Sequence, residues 1–391
     1  MRVTIFLLSV AAFASAASIR VTDPLLPRIA AEFDVGIARA AWAATGFTVA
    51  YAAMQMVFGP LGDRFGKLRV ISYACVVAAL ASFACFLASG FEGFVAARIF
   101  AGAFCASAIP LSMAWIGDTV RYEDRQPVLA RFLLGQILGI AAGSAVGGFA
   151  AEEPVWRWPF AAIALWLLAT SVLLLAFAAR NVAPTPAPGT SRASDEAPSV
   201  FASPWARVVV LSVFAEGTVV FGPMAFIPTH LHFVRGTSLA VAGLALLPYA
   251  LGGVLFAIFA RPIVLRLGEV ALAMTGTMLL AVGFTIVALA PNAAAAAAGC
   301  FLAGVGFYSF HNTLQTNATQ MAPQRRGAAM ALFATCFFLG QAAGVALAGV
   351  LVERIGTTAV ILGAGLGVIP VGITFARLRR ARARRERETT Q

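Results

Sequence analysis

Four ionisable side chains stand inside long apolar runs of this 391-residue chain: Arg20, Asp23, Arg98 and Glu216. Placing such a group in a hydrocarbon environment costs about 2.5–3.5 kcal/mol even on a lenient insertion scale, so each needs a chemical reason. Arg20 and Asp23 are three residues apart, on one face of a helix, and can pair. By helical rise Arg98 lies about 9 Å from the start of its run and Asp23 about 15 Å from the end of its own, so these two can also meet. Two readings fit the cluster: a buried ion pair that fixes helix register, or an acid whose protonation and ligand contacts change together. Glu216 is the sole acid of its run, about 14 Å from the start of that helix. A lone carboxyl at that depth stays neutral unless paired, which suits a proton carrier or a protonated acid bonded to a neighbouring helix. Tyr308, His311, Asn312 and Gln315 recur at the spacing of one polar helical stripe. Gln55, Gln136, Tyr249 and Gln341 are weaker candidates, either lining a cavity or joining helices through bonds worth about 0.6 kcal/mol each.

Other chemistries find no support. There is no GxxxxGKS phosphate loop and no Ser/His/Asp order; His230 and His232 have no cysteine neighbours at metal-ligand spacing. The expectation is a protein that is not an enzyme and uses neither metal nor cofactor. The cysteines (Cys75, Cys85, Cys105, Cys300 and Cys336) all fall in apolar runs and form no CxxC pair, so they read as small hydrophobes.

The elements that must position these groups follow from composition. Charged residues make up 12% of the chain and hydrophobic residues 60%, with a mean hydropathy of +0.87. A globular domain carries roughly 25% charge. A surface so poor in charge faces lipid or other lipid-facing helices, which excludes a soluble domain, a single-pass receptor, a secreted enzyme and a disordered chain. At about 20 residues per span plus short loops, the length allows about twelve helices. Hydrophobic runs place them near 4–33, 39–58, 70–89, 92–117, 127–150 and 158–179, then 207–231, 238–260, 270–290, 294–320, 327–350 and 357–376. The expected domains are a six-helix bundle at 1–180, a linker at 181–206 rich in Pro, Ser, Thr and Ala, a second bundle at 207–377, and a basic tail at 378–391.

Net charge is +11, but the cations do not gather on one face as nucleic-acid binding requires. They alternate by side instead. Fourteen loop cations and seven tail arginines fall on one side and five arginines on the other, which places both termini in the cytoplasm. Residues 1–19 imitate a secretory signal, with Arg2, an apolar stretch and Ala14-Ser15-Ala16.

An internal repeat decides against cleavage there. Arg125 matches Arg326, Pro27 matches Pro228, and Gly139, Gly143 and Gly148 match Gly340, Gly344 and Gly349, all at an offset of 201. Pro60, Arg64 and Gly66 match Pro262, Arg266 and Gly268 at 202. Parallel six-helix halves related by an axis along the membrane normal form a known architecture for moving solutes, with the path at their interface.

The most specific segment is Gly59-Pro60-Leu61-Gly62-Asp63-Arg64-Phe65-Gly66-Lys67-Leu68-Arg69. Its glycines permit a tight turn, and Asp63 can accept backbone N–H bonds at a helix start. This segment resembles the major facilitator superfamily, whose loop signature reads approximately G-x-L-x-D-R-x-G-R-R. FVAARIFAG at 94–102, centred on Arg98, the pair Asp118 and Arg125, and the glycines of 135–148 followed by Trp156-Arg157-Trp158-Pro159-Phe160 resemble further motifs of that family. The resemblance spans the chain and extends to the twelve-span drug–proton antiporter and sugar-efflux group, although Gly143-Ser144 stands where the antiporter motif has Gly-Pro. It implies an all-α fold of two six-helix bundles, a monomer in the cell inner membrane, and a small-molecule substrate moved against protons, with the proton gradient as driving force. It also implies that Asp63 latches the halves by docking on the start of span eleven, with Arg64 and Asp118 completing a charge relay. The second copy has Leu265 in place of Asp63, so only the first loop should latch. Proton-coupled efflux of an amphipathic or sugar-like solute is the leading expectation. Symport of an organic acid on Arg20 or Arg98, or a non-transporting sensor, are the alternatives.

Overall fold

The computed structural model describes residues 2–180, 203–322 and 326–388. The chain divides into two compact units, Met1–Ala193 and Ser194–Gln391. The first holds α1 (Arg2–Arg20), α2 (Leu26–Glu32), α3 (Ile37–Ala40), α4 (Trp42–Phe65), α5 (Lys67–Leu87), α6 (Phe91–Cys105), α7 (Ala108–Thr119), α8 (Tyr122–Ala151) and α9 (Trp158–Arg180). The second holds α10 (Pro204–Met224), α11 (Ile227–Arg235), α12 (Leu239–Leu244), α13 (Leu247–Leu289), α14 (Ala293–Gln320) and α15 (Arg326–Glu388). No strand occurs among the described residues.

Nine helical stretches among the described residues are long and apolar enough to cross a membrane. Two of the longest are pairs joined at a sharp reversal, at Gly268 (φ 70°) and Gly356 (φ 80°). A residue with a Cβ is strained in that left-handed region, so glycine allows one helix to turn into the next without a loop. Counting the halves of those pairs separately and adding the 24-residue α4 gives the twelve expected spans.

Several boundaries differ from expectation, each for a local reason. Span one is not a continuous helix: α1 stops at Arg20, and residues 21–25 form turns in which Leu25 N–H donates to the Thr22 carbonyl at 3.0 Å. Pro24 has no N–H to give and its ring opposes the preceding turn, so the helix restarts only at Leu26. Span seven breaks likewise between Met224 and Ile227, next to Pro223 and Pro228. The expected loop at 59–66 is mostly helix, because α4 continues to Phe65 and Gly66 alone (φ 90°) makes the turn into α5. Asp63 therefore sits in the last turn of α4, not at a helix start. The second unit's first helix begins at Pro204, and the tail expected from 378 continues the last helix to Glu388.

The repeat is visible in the packing. Along α8, Gly135, Gly139 and Gly143 lie against Ser9, Phe13 and Ala17 of α1 and Gly147 against Val21 in the turn that follows it, so close that a Cβ would overlap their backbone carbonyls. In the second unit Gly340 and Gly344 of α15 meet Phe214 and Thr218 of α10 in the same way. Both sides of the Gly139–Phe13 and Gly143–Ala17 contacts recur 201 residues later. Gly102 against Phe47 recurs as Gly304 against Tyr249, at 202. The glycine that continues the α8 row is Gly147, one residue before the Gly148 expected from the repeat.

Candidate functional site

In the first unit the break after α1 carries the charge cluster. Arg20 Nη1 donates to Asp23 Oδ2 at 3.3 Å, with both side chains buried. The chain turns at Asp23, so the pair forms across a helix end and not along a helical face. Arg98, on α6, is fully enclosed. Its Nε donates to the Ala43 carbonyl (3.2 Å), Nη1 to Ser18 Oγ (3.3 Å) and Nη2 to the Ser18 carbonyl (2.9 Å). The guanidinium also lies over the rings of Phe47 (4.2 Å) and Phe160 (5.6 Å). No ion pair within 4 Å joins Arg98 to Asp23, which corrects the expectation that they meet directly. The charge of Arg98 is instead satisfied by carbonyl dipoles, a hydroxyl and aromatic faces, which together bind α1, α4 and α6.

At the Gly66 turn, Lys67 lies between two acids, 2.7 Å from Asp63 Oδ1 and 2.9 Å from Asp118 Oδ2. The residue between the two acids is thus Lys67, where the resemblance had implied Arg64. Arg64 instead has its guanidinium 5.1 Å from the Phe65 ring. Gly59 lies within α4 with open space around it. The side chain of Arg125 lies outside the described residues.

In the second unit Glu216 is not alone. Its Oε2 is 2.7 Å from Nδ1 of His311, which links the middle of α10 to α14. Glu216 is fully buried and Oε1 has no hydrogen-bond partner among the described residues. The imidazole stacks on Phe307 (5.0 Å between centroids) and touches Phe337 (4.6 Å) and Phe333 (5.4 Å). Tyr249 and Tyr308 border the same cluster, with centroids 6.3 Å apart and Tyr249 5.9 Å from Phe307. A carboxyl on an imidazole in an aromatic enclosure can hold one proton between two groups and release it when the pair is separated.

The remaining candidates scatter. Asn312 is half-buried and Gln315 exposed on α14, so the stripe turns outward along its length. Gln341 is buried on α15, Gln55 is buried on α4, and Gln136 is half-buried on α8.

A fourth cluster went unnoticed in the sequence. Glu269, directly after the Gly268 reversal, accepts from Arg379 Nε at 2.8 Å and from Asn317 Nδ2 at 3.1 Å. Glu269 occupies the repeat position of Lys67, at 202, with the sign of the charge inverted. That inversion was the available signal. Ser18, which holds Arg98 partly through its main-chain carbonyl, gave none.

Two units of apolar helices, with a buried ion pair at the helix break after α1 in the first and a buried carboxyl–imidazole contact at mid-helix in the second, define a polytopic membrane protein of transporter architecture. The sequence profile of the Major Facilitator Superfamily matches residues 8–338 and again 236–391, and the chain belongs to that family. It is a transporter, not an enzyme. The MFS-type transporter YceJ of Bacillus subtilis, itself uncharacterized, is 25% identical over 85% of this chain and 84% of its own length. The multidrug export protein EmrB of Haemophilus influenzae is 26% identical over 39% of this chain, and the aligned part is 30% of EmrB. Among solved structures, a point mutant of the nucleoside transporter NupG matches with a TM-score of 0.78 at 13% identity, covering 95% of this chain and 98% of NupG. That match concerns the fold.

Proposed function

We propose that this transporter exports a small amphipathic or sugar-like solute in exchange for protons, by alternating access, with Glu216 and His311 as the proton-carrying pair. The 2.7 Å contact between a fully buried carboxyl and an imidazole, at mid-helix in an aromatic enclosure, carries this reading. A group so costly to bury needs a return, and a shared proton that leaves when the pair separates is a chemically specific one. The export direction draws on the printed function of EmrB and on a lincomycin resistance protein of Streptomyces lincolnensis, 30% identical over 40% of this chain. Asp23, paired with Arg20, is the second acid of the scheme. The distribution of cations favours the cell inner membrane with both termini in the cytoplasm, and a monomer suffices. The organic-acid alternative is weaker, since Arg20 is engaged by Asp23 and Arg98 is fully enclosed.

The test is reconstitution in liposomes with an imposed pH gradient, screening drugs, sugars and organic acids for solute-elicited proton flux. Glu216→Gln should abolish the coupled flux. Full gradient-driven transport by that variant would overturn the assignment.

A further inference from the structure

Beside the Gly66 turn, the ends of α4 and α5 part around a groove of about 490 Å³, within the size range of ordinary ligand clefts. Phe58, Leu61 and Phe65 of α4 and Val70 and Val77 of α5 line it, together with Phe104 of α6, which meets Phe58 edge-on at 6.3 Å. Its polar groups are few: Arg69 and Tyr73, on consecutive turns of α5. Tyr73 is 62% exposed.

The three cations of this segment differ in their engagement. Lys67 is taken up by Asp63 and Asp118, and Arg64 lies over Phe65. Arg69 is exposed, lines the groove and makes no ion pair among the described residues. From Arg69 to Val77 the groove follows α5 for about 12 Å of helical rise. One leaflet of the hydrocarbon core is about 15 Å deep. A cation at the helix end, a phenol one turn deeper and an apolar slot of nearly leaflet depth match a lipid from phosphate to acyl chain.

We propose that this groove is a binding site for an anionic phospholipid, with the phosphate on Arg69, the Tyr73 hydroxyl beside the glycerol esters and one acyl chain along Phe58, Leu61 and Val77. The site lies wholly within the first unit and stands independently of the exported solute. Occupancy would brace the ends of α4 and α5 that flank Lys67, so the headgroup composition of that leaflet would bear on the Gly66 turn.

The experiment is native mass spectrometry of the full-length protein in detergent, titrated with dioleoyl phosphatidylglycerol or dioleoyl phosphatidylcholine. Wild-type protein should retain phosphatidylglycerol in preference. Arg69→Gln should weaken that retention about fivefold, the weight of one cation at an anionic surface, while leaving phosphatidylcholine unchanged. Leu61→Trp, which fills the groove from an exposed position, should weaken both lipids. Arg207→Gln, an exposed cation elsewhere, should change neither. Equal retention of the two lipids by wild-type protein, or phosphatidylglycerol retention by Arg69→Gln or Leu61→Trp at the wild-type level, would overturn the site. So would a loss in Arg207→Gln as large as in Arg69→Gln.

Discussion

Adding one methyl group at Gly143 tests the packing that ties α8 to α1. A Cβ there would stand 2.9 Å from the Ala17 Cα and 3.0 Å from its carbonyl carbon, and closer still to the carbonyl oxygen. Carbon atoms pack best at about 3.5–4.0 Å. The obstacle is backbone, which cannot rotate aside, so the two helices must move apart by about half an ångström or more. That movement also loosens Gly139 against Phe13 and Gly147 against Val21, which share the seam. Overpacking of this kind costs about 1–3 kcal/mol. For a domain of this size each kcal/mol shifts the melting temperature by about 2–4 °C. Gly143→Ala should therefore melt about 2–12 °C below wild type in detergent, followed by intrinsic fluorescence. Gly93→Ala in α6 is the matched control, because nothing lies within 4 Å of its Cβ position. There the gain in helix propensity, about 0.5–1 kcal/mol, should leave the melting temperature equal or higher. If the two variants melted alike, close backbone approach would not be what the α8 glycines provide.

The other clusters make sharper demands on charge. Asp23→Asn removes the buried carboxylate that Arg20 pairs with, and breaking such a pair costs about 3–5 kcal/mol, so the variant should melt well below wild type; restoring stability with Arg20→Met in the same chain would identify the lost ion pair as the cause. Asp63→Asn should lower transport while membrane levels, read by immunoblot, stay normal; normal transport would remove Asp63 from the working loop. Glu269→Arg should impair transport, and adding Arg379→Glu should recover it, since the swap re-forms the contact now 2.8 Å long. Failure of the swap, with both proteins folded, would count against Glu269 acting through Arg379.

Much of the architecture was written in local chemistry. Twelve apolar runs and the 201–202 offset were visible because burial in lipid demands long uninterrupted apolar stretches, and because paired glycine contacts preserve register. The breaks were less visible. Pro24 and Pro223 stand at them, but only the backbone shows that Asp23 sits in a turn, where its carboxylate reaches Arg20 and not Arg98. Glu216 and His311 were each noticed, yet 95 residues separate them and the repeat counterpart of Glu216 is Ser15, so no spacing rule joins them. The enclosure of phenylalanines around His311 was also hidden, because in a chain with 31 of them no single Phe draws notice.

Proton exchange at the Glu216–His311 pair is the step on which the proposed function depends. The direct measurement is solute-elicited proton flux in liposomes carrying wild-type protein, Glu216→Gln or His311→Asn, at equal reconstituted amounts under the same imposed pH gradient. Coupled flux in wild type, absent in Glu216→Gln and reduced in His311→Asn while both variants still exchange solute for solute without a gradient, is the predicted result. Undiminished gradient-driven flux in Glu216→Gln would contradict it.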